Sequence, residues 1–415
     1  SNGLPALSIV GLPEAAVRES KDRVRSAIIN SGFEFPNRRL TINLAPADLP
    51  KEGGRYDLPI ALGILGASGQ LEKDALSQYE FIGELSLGGQ LQYINGALPA
   101  LIAASNNKRH SIIPRGNASE ASMLQDATIY PAEHLLEVTQ HLANGNKLHL
   151  LAGQRPKIVT AYEVDLEDVR GQLQARRALE IAAAGQHSLI FIGPPGTGKS
   201  MLAERLPTIM PPMTEKEILE TTTVASLAGF SQQVMTYTRP FRSPHHSASA
   251  VALVGGGSNP KPGEISLSHN GVLFLDELPE FDRRVLDSLR EPLETGHIMI
   301  SRAARQAEFP ANIQLIAAMN PCPCGYLGDS KHACSDRPDQ IQRYRSRISG
   351  PFLDRIDLFV EVPRLSAIER QRDSAREDSA TVRKRVMAAR ERQMQRAGLT
   401  NARLKPRRME QDCQL

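Results

Sequence analysis

The sequence predicts an α/β protein with a doubly wound parallel sheet at its centre. Two observations carry that prediction. From about Asp168 to Pro363, strand-like runs alternate with helix-forming segments, the order that parallel strands joined by helical crossovers require. Three of those runs, "SLIFIG", "GVLFLDE" and "IQLIAAMN", are apolar core-type strands that each end on glycine or on polar residues.

Composition sets the outer bounds. A length of 415 residues implies two or three domains, and 41% hydrophobic with 23% charged residues supplies more than one core. No stretch approaches the ~18 uncharged apolar residues of a membrane span, so no membrane partner is expected. The opening "SNGLPALSIVGLP" lacks a charged segment followed by an apolar one, so a secretory signal is not expected, and without an initiator Met the chain reads as trimmed. Four cysteines, three of them clustered, argue against a disulfide framework and for a reducing, cytoplasmic setting. Net charge is +3, but residues 337–415 hold nineteen Lys and Arg against eleven Asp and Glu. That excess reads either as a solvated helical face or as a nucleic-acid surface, and charge alone leaves both open.

Taken in order, residues 1–150 mix the strands "ALSIV", "RLTINLA" and "EFIGEL" with helices such as "AAVRESKDRVRSAIINSG" and "LPIALGILGAS", forming one α/β domain. Residues 151–167 read as a polar linker. Residues 168–363 form the doubly wound domain, and 364–415 are charged and helix-forming.

"GPPGTGKS" matches the G-x-x-x-x-G-K-[ST] pattern between a strand and the helix "MLAERL". Gly193, Pro194, Pro195, Gly196, Thr197 and Gly198 would wrap backbone N–H groups around phosphates at a helix N-terminus, with Met201 continuing the helix. Lys199 supplies a point charge to the β- and γ-phosphates and Ser200 a hydroxyl for Mg²⁺. Asp276 and Glu277 end "VLFLDE" in the crevice where such sheets bind ligands, Asp276 for Mg²⁺ and Glu277 to polarise the attacking water. Asn320 closes the neighbouring strand, within reach of the γ-phosphate or that water. ATP and Mg²⁺ are the cofactors expected.

These residues together resemble the AAA+ ATPases, in the branch that carries a β-hairpin before its sensor strand. The resemblance implies that "DVRGQ", with Val169 and Gly171, lines the adenine side. It also implies that Arg355 in "SGPFLDRIDL" is an arginine finger completing a neighbour's site in a ring, most often a hexamer. A surface ion pair with Asp354 or Asp357 is the alternative for Arg355. Residues 364–415 would then be an incomplete helical lid, with no sensor-2 arginine placed.

Residues 1–110 resemble the Lon protease domain, a ribosomal-S5-like fold. The loop corresponding to the nucleophile offers Arg55, Tyr56 and Asp57 but no serine, and the lysine position falls near Leu98. A Ser–Lys dyad needs both groups, so a non-proteolytic scaffold or DNA-guiding collar is expected. "CPCGYLGDSKHACSD" gathers Cys322, Cys324 and Cys334 with His332 and Asp336, a candidate structural zinc set in which Asp336 or His332 would be fourth ligand. A cluster of reduced buried cysteines is the alternative.

The hairpin "HIMISRAARQAEFP" puts Arg302 and Arg305 at its tip, a composition suited to gripping phosphates without reading sequence. Arg242, His245, His246 and Lys261 lie in an insert expected to supply a second set of projecting loops. Intersubunit salt bridges for the arginines and loop packing for the histidines are the alternatives. Over nearly its whole length the chain resembles the ComM/YifB group of magnesium-chelatase-like proteins, on "SPHH", "GGGSNPKPGEISLSHNGVLFLDELPEF" and "NPCPCGY". That resemblance implies a hexameric motor acting on single-stranded and branched DNA, promoting branch migration during recombination in natural transformation. A chelatase-type or protein-remodelling ATPase is the alternative.

Overall fold

The computed structural model describes residues 6–46, 51, 53–154, 162–230, 238–257, 260–302, 305–366, 369 and 376–412. The chain divides into two compact units: residues 1–156 with 229–235 form the first, and the remainder forms the second.

The first unit holds β1 (Ala6–Val10) paired in parallel with β2 (Arg39–Asn43). A parallel trio follows, with β6 (His110–Pro114) between β3 (Tyr79–Phe81) and β7 (Ile129–Ala132). The short strands β4 (Glu84–Leu85) and β5 (Leu91–Gln92) pair antiparallel. Helix Asp57–Ala67 is apolar almost all round and sits at the centre of this core, with Leu58, Ala61, Leu62 and Leu65 fully or almost fully buried.

The second unit is built on a five-stranded parallel sheet. In chain order its strands are β8 (Leu189–Ile192), β9 (Phe241–Arg242), β12 (Val272–Leu275), β15 (Gln314–Met319) and β16 (Leu358–Glu361). In space the order is β16-β8-β15-β12-β9. Alternation of side chains explains why the central runs are apolar throughout. Phe191, Phe274, Ile316 and Ala318 meet helices Leu173–Gly185, Lys199–Ile209 and Ser379–Ala397 on one face, while Ile190, Leu273, Leu275, Leu315 and Ala317 pack on the other. Two antiparallel hairpins complete the unit: β10 (Gly255–Gly256) with β11 (Lys261–Pro262), and β13 (His297–Arg302) with β14 (Arg305–Pro310).

Both ends of the expected linker belong to the units themselves. Gln154 donates its backbone N–H to Ser122 in the first unit. Leu166 is buried in the second, its N–H bonded to the Ser379 hydroxyl, and Asp165 and Asp168 cap each other's backbone around a short 3₁₀ turn. The unit boundary thus falls within the expected linker, whose last residues are ordered by a buried leucine and a reciprocal cap.

The basic C-terminal segment is largely engaged within the second unit. Arg385 pairs with Glu180 and Glu377, and Arg403 donates to Asn312 and the Leu293 carbonyl. Half-buried Arg390 donates to the carbonyls of Ala183 and Ala184 at 2.6 and 2.7 Å, satisfying the last turn of helix Leu173–Gly185. Burial pushes its pKa down to about 10, yet the guanidinium stays charged at neutral pH. Arg390→Leu is therefore expected to destabilise the second unit by about 1–3 kcal/mol through orphaned carbonyls, read as a lower denaturant midpoint; an unchanged midpoint would show that Gln393, which also reaches Ala184, suffices.

Candidate functional site

β8 delivers the chain to a loop, Gly193–Gly198, from which helix Lys199–Ile209 departs. Gly196 and Gly198 take left-handed backbone, φ +76° and +92°, which turns successive N–H groups toward one side. A Cβ on Gly193 would lie 2.2 Å from the Val362 carbonyl oxygen, so the loop can leave the sheet beside β16 only with glycine there. Lys199 is buried and donates to the carbonyls of Gly193 (2.7 Å) and Pro194 (2.9 Å) and to Asn320 Oδ1 (3.2 Å). Burial lowers its pKa, with Asp276 opposing. Phosphate oxygens beside the ammonium would restore it.

The strand ends bring in the rest. Ser200 Oγ donates to Asp276 Oδ2 at 2.7 Å, and Asp276 Oδ1 accepts the Glu277 N–H at 2.9 Å. Residues 195–201, Asp276, Glu277, Met319 and Asn320 line a cleft of about 390 Å³. A hydroxyl and a carboxylate at hydrogen-bond distance form the hard oxygen donor set that Mg²⁺ prefers, so the residues fit that ion. Glu277 has φ +54° and its exposed carboxylate meets His246 Nδ1 at 3.1 Å. His246 also lies against His245, ring centroids 4.1 Å apart. This contact was not legible in the sequence, because thirty residues separate the partners.

On the expected adenine side, Val169 is buried and Gly171 has φ +67°. A Cβ on Gly171 would lie 2.4 Å from Leu365. Gln172 ties this segment to the sheet by donating to the Pro363 carbonyl at 2.8 Å. Asp168 is held below the usual carboxylate range by the Asp165 N–H and then by Arg205.

Other expected residues lie elsewhere. Arg355 does not line the cleft and pairs with Glu294, not with Asp354 or Asp357; Asp357 instead accepts from His187 and the Ser188 N–H. Arg242, expected among projecting loops, is engaged within the fold. It sits in β9 and both arms of its guanidinium meet Glu264, at 2.6 and 2.7 Å, because the strand carries it back into the fold. Lys261 is exposed on β11, and the β10–β11 hairpin lies close to β13, where Ile300 would be 2.7 Å from a Cβ on Gly255. Arg302 and Arg305 pair across the β13–β14 tip; their side chains fall outside the described residues. The hairpin's root is fixed by buried Ile298, Ile300 and Phe309. Cys322, Cys324, Cys334 and Asp336 gather just after Asn320, their ligand atoms within 4.8 Å of one another, while His332 turns its ring onto Tyr326.

In the first unit, Asp57 is buried and paired with Arg23 at 2.8 Å, Arg55 donates to the Asn95 carbonyl, and Leu98 is fully buried.

A parallel sheet carrying a phosphate loop, an acidic strand end and a polar sensor strand end defines a nucleotide-binding ATPase of the magnesium-chelatase-like AAA+ class. Family models agree: "Magnesium chelatase, subunit ChlI" matches residues 165–370, "Subunit ChlI of Mg-chelatase" residues 1–117, and "Magnesium chelatase, subunit ChlI C-terminal" residues 376–415. The chain is 54% identical over 421 residues to competence protein ComM of Haemophilus influenzae, spanning 100% of this chain and 82% of that protein. It is 52% identical over 417 residues to the YifB protein of Salmonella typhimurium, with the same coverage. A shorter similarity, 23% over 192 residues, covers 46% of this chain and 19% of the DNA replication licensing factor mcm6 of Dictyostelium discoideum. The chain belongs to the ComM/YifB family. No helix among the described residues is long and apolar enough to cross a membrane.

The His246–Glu277 contact gives a test. Removing a partner worth about 1 kcal/mol should free the carboxylate and raise basal ATP turnover roughly fivefold in His246→Ala. A fall in turnover instead would make the imidazole a positioner of Glu277.

Proposed function

We propose that this chain is an ATP-driven DNA motor that assembles into a ring, a hexamer by analogy with its class, and promotes branch migration on single-stranded and branched DNA. The observation that carries this reading is the continuity of one segment. The arginine-tipped β13–β14 hairpin runs through β15 into Asn320, whose side chain is bonded to Lys199. A change at the terminal phosphate therefore has a covalent path to the hairpin. The competence naming of the Haemophilus relative supports a role with incoming DNA.

In this reading Lys199 leaves the loop carbonyls to bind the β- and γ-phosphates, and the N–H groups of Gly196–Ser200 hold the phosphate oxygens at the helix N-terminus. Ser200 and Asp276 would hold Mg²⁺, which would neutralise phosphate charge. Glu277, released from His246, orients the attacking water, and Asn320 fixes that water against the γ-phosphate. Arg355 leaves Glu294 to stabilise charge in the neighbouring subunit's site. Arg302, Arg305 and Lys261 contact the DNA backbone. The first unit serves as a non-proteolytic scaffold or DNA-guiding collar; an ion-paired Asp57 and a buried Leu98 where a Ser–Lys dyad would be needed support the non-proteolytic part. The second reading, a chelatase-type or protein-remodelling ATPase, is favoured by the description of the matching family model. Stimulation of hydrolysis by forked DNA separates the two, since a partner-directed ATPase responds to protein alone.

Lys199→Ala is expected to lose nucleotide binding, measured with a fluorescent ATP analogue. Glu277→Gln is expected to keep binding while turnover falls about 10²–10⁴-fold, the range for losing a group that acts in proton transfer or water activation. Near-normal turnover in either variant contradicts the assignment. Replacing Arg302 and Arg305 together by Ala should weaken DNA binding and flatten its salt slope by about 2 while basal hydrolysis persists; unchanged affinity removes the hairpin from the interface. Strand exchange on a three-stranded substrate, with and without ATP, tests the activity as a whole.

A further inference from the structure

The segment following Asn320 is a loop closed on itself by four side chains. Cys322 is fully buried, and Cys324, Cys334 and Asp336 are half-buried. The three sulfurs form a near-equilateral triangle, with Sγ–Sγ distances of 3.4, 3.6 and 3.6 Å, and all three cysteines are free. A tetrahedral zinc ion with Zn–S bonds near 2.3 Å needs sulfurs about 3.8 Å apart, so little adjustment separates this triangle from a ligand set. Asp336 supplies the fourth corner, its Oδ2 lying 3.8 Å from Cys334 Sγ. Backbone donors already face the ligands: Leu327 N–H meets Cys322 Sγ at 3.4 Å and Cys324 N–H meets Asp336 Oδ2 at 2.8 Å. Such N–H groups orient and stabilise anionic ligands around a metal. Three thiolates and a carboxylate in tetrahedral reach select zinc over magnesium or calcium, which prefer six or more oxygens.

The loop is also wedged against the nucleotide cleft. Gly325 has φ +84°, and a Cβ there would lie 2.9 Å from Pro195 of the phosphate loop and 3.7 Å from Asn320. Asp329, in the same loop, pairs with Arg364 at 3.0 Å, and Arg364 also donates to the Pro195 carbonyl at 3.3 Å. Arg345 donates to the Pro321 carbonyl at 3.2 Å.

We propose that Cys322, Cys324, Cys334 and Asp336 hold one zinc ion, and that this ion braces the loop against Pro195 and Asn320. The metal takes no part in phosphate chemistry. It fixes a wall of the cleft, so its loss disturbs the alignment of Asn320 more than the capture of phosphate by the N–H groups of the loop. The bracing part of the proposal rests on the ATP-site reading; the metal site does not.

The test uses the full reduced chain, loaded with Zn²⁺ and freed of excess by gel filtration. The expected result is one zinc per chain, and Co²⁺ in its place should give thiolate charge-transfer bands with tetrahedral d–d absorption. The Cys322→Ser, Cys334→Ser double variant should lose the ion. Chelator stripping and zinc re-addition on the unaltered chain supply a second measurement that does not depend on the variant's folding. Asp336→Cys should tighten binding. A chain that elutes free of zinc, a six-coordinate cobalt spectrum, or a full equivalent retained by a folded double variant overturns the site. In the stripped chain, turnover should fall about tenfold and recover with Zn²⁺, while binding of a fluorescent ATP analogue persists. Equal turnover with and without zinc overturns the bracing. A chain that takes up one zinc yet binds no nucleotide in either state supports the metal site and overturns the ATP-site reading instead.

Discussion

The parallel register of β8, β15 and β12 is the constraint on which the candidate site depends. Ile192 lies opposite Met319 and Ala317 lies opposite Leu275, so the three strands stop within a residue or two of one another. Because all three run the same way, the phosphate loop, Asn320 and the Asp276–Glu277 pair emerge on one edge. No side chain has to reach far: Lys199 bonds to Asn320, and Ser200 bonds to Asp276. An antiparallel β15 would send Asn320 to the opposite edge and leave the same residues without a common cleft. The two hydrophobic layers around the sheet hold that register, and each is fed by alternate residues of the same short strands.

Much of this was readable in the sequence because it is local or periodic. A strand buried on both faces writes itself as an uninterrupted apolar run, and a phosphate loop writes itself as glycines at fixed spacing. Thus "GPPGTGKS", "VLFLDE" and "IQLIAAMN" could each be placed on an element before their neighbours were known. What escaped is pairing between distant side chains. Nothing near Arg242 indicates that Glu264 will take up its guanidinium, and nothing near His246 points to Glu277. The boundary between the units falls inside the stretch read as a linker, and Leu166 with the Asp165–Asp168 cap shows that the end of a polar stretch can still be structured.

Charge in this chain is therefore poorly described by counting. The C-terminal excess of Lys and Arg reads from composition either as a solvated helical face or as a nucleic-acid surface. In the fold, Arg385 answers two glutamates, while Arg390 and Arg403 answer backbone carbonyls. Arginine suits this because its fork satisfies several acceptors at once and remains charged even when buried. Other cations stay exposed, Lys384, Arg392 and Arg407 on the C-terminal helices and Lys261 on its hairpin.

The β13–β14 hairpin has six residues in each strand and a root set in the core. At about 3.3 Å per residue its arms extend roughly 20 Å, and just three residues separate β14 from β15. This makes it a lever with a short throw at the hub and a long one at the rim. A tilt of about 10° at the root would carry the end roughly 3.5 Å, so arm length alone turns a small rotation in the core into a displacement of several ångströms at the tip.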